Sequence, residues 1–190
     1  MNRYSTIILA ALFVAAASAS AFAQQAQQSS APPNANPTPQ NANPMIAELK
    51  QMYATIKNNQ TKMAEKMPEE NYSFKATADV RTFGQLVAHV ADAQARFCSA
   101  VNGEQKAVNA GSKTSKADLV AALKESFDMC DKAFDSLTDS KAAEMVSMGQ
   151  RQRSKLGMLA GMVSHSNEEY GYMAVYLRLK SVVPPSSEGR

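Results

Sequence analysis

One segment, residues 154 to 180, constrains the fold more than any other. Placed on a helix, it is apolar on most sides. One face carries Leu156, Leu159, Val163, Tyr170, Ala174 and Leu177, and a second carries Met158, Met162, His165, Glu169, Met173 and Tyr176. Only a narrow strip through Ser164, Glu168, Gly171 and Arg178 is expected to face water. A helix that is apolar on most sides lies inside a helical core, so this segment predicts a central helix of an all-α domain.

Three further segments show helical periodicity, and no segment alternates clearly as a strand. They cover residues 45 to 66, residues 82 to 101, and residues 115 to 137. Residues 138 to 153 are expected to be irregular. Four helices joined by loops predict an all-α four-helix bundle.

The N-terminus has the pattern of a cleavable signal peptide over residues 1 to 23. Arg3 precedes an apolar run at residues 7 to 17, and Ala21 and Ala23 form a small-x-small cleavage pattern, which makes Gln24 the first mature residue. The alternative is an uncleaved membrane anchor. The apolar run is shorter than the roughly 20 residues that a membrane span needs, so no stable membrane insertion is expected. The sequence predicts a periplasmic or secreted protein.

Residues 24 to 44 separate the signal peptide from the predicted domain. They hold no charged residue and are rich in Gln, Asn, Pro, Ser and Ala. Such a segment buries too little apolar surface to offset its ordering entropy. We expect a disordered linker here and a helical domain over residues 45 to 187.

Charge and the distribution of methionines argue against nucleic-acid binding and against a copper site. The formal net charge is +3, or +2 once Arg3 is removed, and lysines and arginines form no cluster with aromatic residues. No nucleic-acid partner is therefore expected. The 11 methionines are scattered rather than clustered, which favours packing in the core over a copper site.

The two histidines are the strongest candidates for a functional site. His165 and Glu169 lie four positions apart, which places them one turn apart on one helix face, and His89 is the candidate third ligand from another helix. Two imidazoles and a carboxylate suit a divalent metal ion such as zinc, nickel, iron or manganese. Three protein ligands would leave a coordination position open for water or substrate. The alternative is an ordinary side-chain hydrogen bond on a helix.

Cys98 and Cys130 are the only cysteines, and an oxidising compartment would favour a bond between them. They lie at similar depths in the second and third predicted helices. The two residues would therefore be level if these helices ran parallel, and offset by roughly 15 Å if they ran antiparallel. A disulfide is thus one possibility, and two small core residues with free thiols are the other.

Four sequence motifs together resemble the DinB/YfiT-like family of helical-bundle metalloenzymes. They are residues 83 to 90 (FGQLVAHV), residues 165 to 171 (HSNEEYG), residues 176 to 178 (YLR) and residues 184 to 187 (PPSS). The resemblance implies an up-down-down-up four-helix bundle, often dimeric, with parallel second and third helices. It also implies a divalent metal held by three histidines, one on the second helix and two at i and i+4 on the last.

Carried over by position, the resemblance assigns His89 and His165 as the first two metal ligands. Glu169 stands where the family has its third histidine. A carboxylate there either binds the metal and shifts the preference toward harder ions, or marks a copy that has kept the scaffold and lost the metal.

Two functions follow from the resemblance. The first is a metal-dependent hydrolase or thiol-dependent transferase acting on a small-molecule substrate, in a chain that could form a homodimer. The second is a non-enzymatic bundle that serves as a binding or structural module with a degenerate metal site. No catalytic residue is singled out, and Glu168 is expected to face water. An exported location weakens the analogy to thiol-dependent relatives, whose cofactor thiols are mainly cytosolic.

Overall fold

The computed structural model describes residues 43 to 189. The predicted signal peptide, residues 1 to 23, and all but the last two residues of the predicted linker, residues 24 to 44, lie outside the described residues. Within the described part of the chain, no helix has both the length and the hydropathy required to cross a membrane.

Four long helices form the domain, and their ends follow from local capping. They are α1 (Pro44–Lys66), α2 (Phe83–Asn102), α3 (Lys116–Asp135) and α4 (Lys155–Leu179). Thr82 caps the N-terminus of α2 and forms a capping box with Gln85. The Ser115 and Ser154 hydroxyls accept hydrogen bonds from backbone N–H groups in the first turns of α3 and α4. Gly103 ends α2 in the left-handed conformation, at φ 71°. The helix bounds predicted from periodicity are confirmed to within about two residues.

The expectation of an irregular segment at residues 138 to 153 is wrong. This part of the chain contains an antiparallel hairpin of β1 (Met145–Met148) and β2 (Arg151–Ser154), with Met145 opposite Ser154. Gly149 takes φ 63° in the turn between the strands, a conformation that glycine adopts without steric cost. Each strand has only four residues, none of which is fully buried, so neither shows an alternation long enough to be recognised.

Helices α2 and α3 run parallel. Gln94 of α2 is level with Ser126 of α3, and four residues further along both helices Cys98 is bonded to Cys130. The two Cα atoms of this disulfide lie 4.9 Å apart. The disulfide that the sequence left open is therefore present, and the alternative of two free core thiols is wrong. The structure does not address the other expected partners, a small-molecule substrate and a homodimer.

Helix α4 runs antiparallel to α2, and α1 runs antiparallel to α3. The Tyr176 hydroxyl near the end of α4 donates to the Arg81 carbonyl just before α2 begins. Between α1 and α3, the Tyr53 hydroxyl in the first half of α1 donates to Asp131 in the second half of α3. Lys116, at the start of α3, donates to the Glu65 carbonyl at the end of α1. The order is therefore up-down-down-up, as the family resemblance implies.

Helix α4 is less enclosed than its sequence indicates. Its core face is buried as predicted, including Met158, Leu159 and Met162. However, Tyr172, Val175 and Leu179 are each more than half exposed, so the solvated face is wider than the predicted strip. Helices α1 and α2 cover the inner side of α4 and leave this outer face open.

Candidate metal centre

Helices α2 and α4 bring the three predicted ligands together. His165 and Glu169 lie on the same face of α4, and the antiparallel packing of α2 places His89 opposite them. The two histidine Nε2 atoms are 3.2 Å apart. Glu169 Oε1 lies 3.5 Å from His89 Nε2 and 3.7 Å from His165 Nε2. These three residues form a group whose donor atoms converge closely enough to hold one metal ion.

The spacing of the donor atoms suits tetrahedral coordination. Ligands bound at about 2.1 Å from a tetrahedral zinc ion lie about 3.4 Å from one another. Adjacent ligands of an octahedral ion at the same bond length lie only about 3.0 Å apart. The three separations, 3.2, 3.5 and 3.7 Å, lie on either side of the tetrahedral value.

Hydrogen bonds among the three residues do not satisfy the carboxylate. The Glu169 side chain is only 7% exposed, yet both imidazole nitrogens lie beyond the 2.7 to 3.2 Å range of N–H···O bonds. Its second oxygen, Oε2, is buried without a partner, as is Nδ1 of His165. A buried polar group without a partner costs several kcal/mol. A cation bound by the three donor atoms would neutralise the Glu169 carboxylate and offset part of the cost of burying it, so the residues present fit a metal ion.

His165 is held in the form that a metal requires. Burial lowers its pKa most strongly, and His89 and Arg96 lower it further, while Glu169 and Glu168 oppose the shift. The neutral imidazole is therefore favoured at neutral pH, and only the neutral ring can donate its nitrogen lone pair to a metal.

The site is accessible from outside the bundle. The His89 and His165 side chains are 34% and 25% exposed. His89 also lines a surface cavity of about 650 Å³, together with Gln85 and Asp92 of the same helix. Glu168 is exposed and accepts a hydrogen bond from Tyr172, which confirms that it faces water.

Several residues near the ligands were not recognised from the sequence. Arg153 of the hairpin lies against Gly161, one turn before His165 on α4; a Cβ at position 161 would stand 2.7 Å from the guanidinium. The Phe97 ring centroid is 6.2 Å from that of His165. Ser166, which follows His165 in the chain, and Gln94, which donates to Ser166, are completely buried. Gln94 and Ser166 could have been recognised as polar residues at positions where the helical pattern expects apolar ones. No local sequence pattern indicated that Arg153 of the hairpin would contact α4.

A family model of the DinB superfamily matches residues 51 to 173. The match covers well over half of the chain and includes the positions of His89, His165 and Glu169. No curated protein matches the chain significantly.

Solved structures with the same fold include three bacterial proteins. A DinB-like protein of Bacillus cereus is 17% identical, with a TM-score of 0.65 over 74% of this chain and 95% of its own. A DinB-like protein of Bacillus subtilis is 16% identical, with a TM-score of 0.56 over 70% of this chain and 92% of its own. A DinB-family protein of Exiguobacterium sibiricum is 14% identical, with a TM-score of 0.57 over 74% of this chain and 95% of its own. At these identities the likeness shows the fold alone.

Proposed function

The chain belongs to the DinB superfamily, and from that premise we propose that it is an exported zinc-dependent hydrolase whose metal ligands are His89, His165 and Glu169. The observation that carries the proposal is the convergence of three donor atoms from two antiparallel helices, within 3.2 to 3.7 Å of one another. One of these donors belongs to the buried carboxylate of Glu169, whose second oxygen has no hydrogen-bond partner.

The spacing of the donor atoms favours zinc, whereas the donor types alone also suit non-haem iron(II), which two histidines and a carboxylate likewise bind. Two histidines and one glutamate are the protein ligands of one class of catalytic zinc site, in which the fourth position is taken by water or substrate. The tetrahedral spacing of the donor atoms agrees with this choice. Glutamate in place of a third histidine therefore changes the ligand set without removing the capacity to bind metal.

Each ligand has a distinct part in the chemistry. His89, His165 and Glu169 would hold a zinc ion, which would supply a Lewis acid able to lower the pKa of bound water to about 7. Glu169 would contribute the negative charge that makes the site selective for a cation. His165 contributes a ring held neutral by its surroundings, and the partly exposed His89 connects the centre to the neighbouring cavity.

The cysteines favour hydrolysis over a thiol-dependent transfer. Both are fully buried and joined in a disulfide, so the chain offers no thiol of its own to the metal. A transferase would need a thiol cofactor in the exported compartment, where such cofactors are scarce. Water is the nucleophile that is always present there.

The disulfide also supports export. Disulfides form and persist in oxidising compartments and are rare in the cytosol. The predicted signal peptide at residues 1 to 23 would deliver the chain to such a compartment.

The metal centre is tested by comparing two neighbouring glutamates. Glu169→Gln removes the buried carboxylate charge, and Glu168→Gln makes the same change one residue away on the exposed side of α4. The untagged protein and both variants are purified from the periplasm, their metal content is measured by mass spectrometry, and zinc affinity is measured by chelator competition. His165→Ala is included as a second ligand variant.

We expect about one zinc per chain in the wild type and in Glu168→Gln. Glu169→Gln removes a charged ligand and should weaken zinc binding by at least about 10-fold. Even mutations of residues that only hydrogen-bond to metal ligands lower metal affinity by about that factor. Equal affinity in both glutamine variants would remove Glu169 from the site. A wild-type protein that is purified without metal, and does not bind added zinc, would refute the metalloenzyme and support the scaffold with a degenerate site.

A further inference from the structure

The centre of the bundle contains a polar cluster to which every helix contributes one residue. Gln60 of α1, Gln94 of α2, Ser126 of α3 and Ser166 of α4 are each 0% exposed. We call this set the four-helix polar cluster. Buried polar side chains are costly unless they are hydrogen-bonded, so their joint position at the middle of an apolar core requires an explanation.

The cluster is connected throughout. The Gln94 amide nitrogen donates to Gln60 Oε1 at 2.8 Å and to Ser166 Oγ at 3.3 Å. The Ser126 hydroxyl lies 2.9 Å from Gln94 Oε1. Gln60 in turn donates from Nε2 to the Ser166 backbone carbonyl at 2.8 Å. No side-chain nitrogen or oxygen of these four residues is among the unpartnered buried atoms of the described chain.

The hydrogen bonds act on α4 directly beside a proposed metal ligand. Ser166 follows His165 in the chain, and it is held by its side chain from α2 and by its backbone carbonyl from α1. A rotation or a shift of α4 along its axis would break both contacts. Packing of apolar side chains alone tolerates such shifts more readily, because it is not directional.

His165 depends on this arrangement more than a metal-binding histidine usually does. Metal-ligating histidines generally donate their second ring N–H to a carboxylate, carbonyl or water, which fixes the orientation of the ring. The Nδ1 atom of His165 is buried and has no protein partner among residues 43 to 189. The position of the ring is therefore set by the helix that carries it and by the contacts of the ring with His89 and Phe97 of α2.

We propose that the four-helix polar cluster positions the metal centre, by fixing the register of α4 against α2 and so the separation of His165 and Glu169 from His89. This inference rests on the proposed metal centre. It assigns a role at the site to Gln60 and Ser126, although α1 and α3 contribute no ligand to it.

The test uses a matched pair of serines on α3. Ser126→Ala removes a hydroxyl of the cluster, whereas Ser136→Ala removes one that lies at the end of the same helix. Each hydroxyl lies close to a carbonyl three residues earlier, at 2.7 Å for Ser126 and 2.8 Å for Ser136. The two changes differ in the contact with Gln94 and in burial, because Ser126 is fully buried and Ser136 is half-buried. Gln60→Met, on α1, is a second variant that removes an amide of the cluster and retains side-chain length.

Two quantities are measured on folded, full-length protein: zinc affinity by chelator competition, and the visible absorption spectrum of the protein loaded with Co²⁺. The spectrum reports coordination geometry, which a loss of stability alone would not change. We expect Ser126→Ala and Gln60→Met to lose about 10-fold in zinc affinity and to change the Co²⁺ spectrum, and Ser136→Ala to match the wild type.

The outcomes separate the two proposals. If the wild type binds zinc and both cluster variants keep its affinity and its Co²⁺ spectrum, the positioning role is overturned and the metal centre stands. If the wild type binds neither zinc nor Co²⁺, the proposed function fails and the positioning role fails with it. Changes of the same size in Ser136→Ala would show that any lost hydroxyl on α3 disturbs the site, which also overturns the positioning role.

Discussion

Removal of the Cys98–Cys130 disulfide should destabilise the protein by an amount that follows from its place in the chain. The two cysteines are separated by 32 residues, and in the chain-entropy model closure of such a loop contributes about 3.7 kcal/mol at 25 °C. Because both sulfur atoms are fully buried, the double variant Cys98→Ala/Cys130→Ala also loses packing contacts. We therefore expect the double variant to be less stable than the reduced wild type, and both to be less stable than the oxidised protein.

Urea denaturation followed by circular dichroism measures this difference. With a slope of about 2 kcal/mol per molar urea, reduction should lower the midpoint by about 2 M. Alkylation and mass spectrometry establish the state of the cysteines in each sample. Equal midpoints for oxidised and reduced protein would refute the loop-closure reasoning. Free thiols in protein purified from the periplasm would refute the pairing itself, and with it one argument that α2 and α3 are parallel.

The remaining predictions concern two helix glycines and the N-terminus. Gly171→Ala should stabilise the protein by about 1 kcal/mol, because no atom lies within 4 Å of the added Cβ and alanine is the better helix former. Gly84→Ala should destabilise the protein by about 1 kcal/mol, although it gains as much in helix propensity. The reason is that the added Cβ would lie 3.2 Å from the Tyr72 carbonyl oxygen and 3.3 Å from Leu119 Cδ1. Thermal unfolding compares the two, and shifts of the same sign would contradict this account. Protein secreted by a Gram-negative host should have the mass of a chain beginning at Gln24, and the mass of the uncleaved chain would contradict the predicted signal peptide.

The helices were predictable because their information is local. Thr82 and Gln85 form a capping box within one turn of chain, and Gly103 terminates the same helix through its own backbone. Apolar periodicity over about 20 residues then identifies the buried face of each helix. The hairpin at Met145–Met148 and Arg151–Ser154 could not be recognised in this way. Its pairing is decided by the turn at Gly149 and by packing against the helices, rather than by any repeat within four residues.

The candidate site was predictable in part. The spacing of His165 and Glu169 places both side chains on one face of any helix, whatever surrounds it. The addition of His89 came from the family resemblance and from the scarcity of histidines, because no local pattern connects residues so far apart in the chain. Their convergence within 3.2 to 3.7 Å depends on the antiparallel packing of α2 and α4.

The sequence was sufficient to predict the four helices, the family and the three candidate ligands, but it left open whether the two cysteines are bonded. That question depended on the packing of the helices, since a bond requires Cys98 and Cys130 to lie level on parallel helices. Only the tertiary structure also showed that one polar residue from each helix meets at the centre of the bundle. The physical reason is the same in both cases: capping and periodicity act within a few residues, whereas a disulfide, a ligand triangle and a shared hydrogen-bond network exist only after distant segments have packed together.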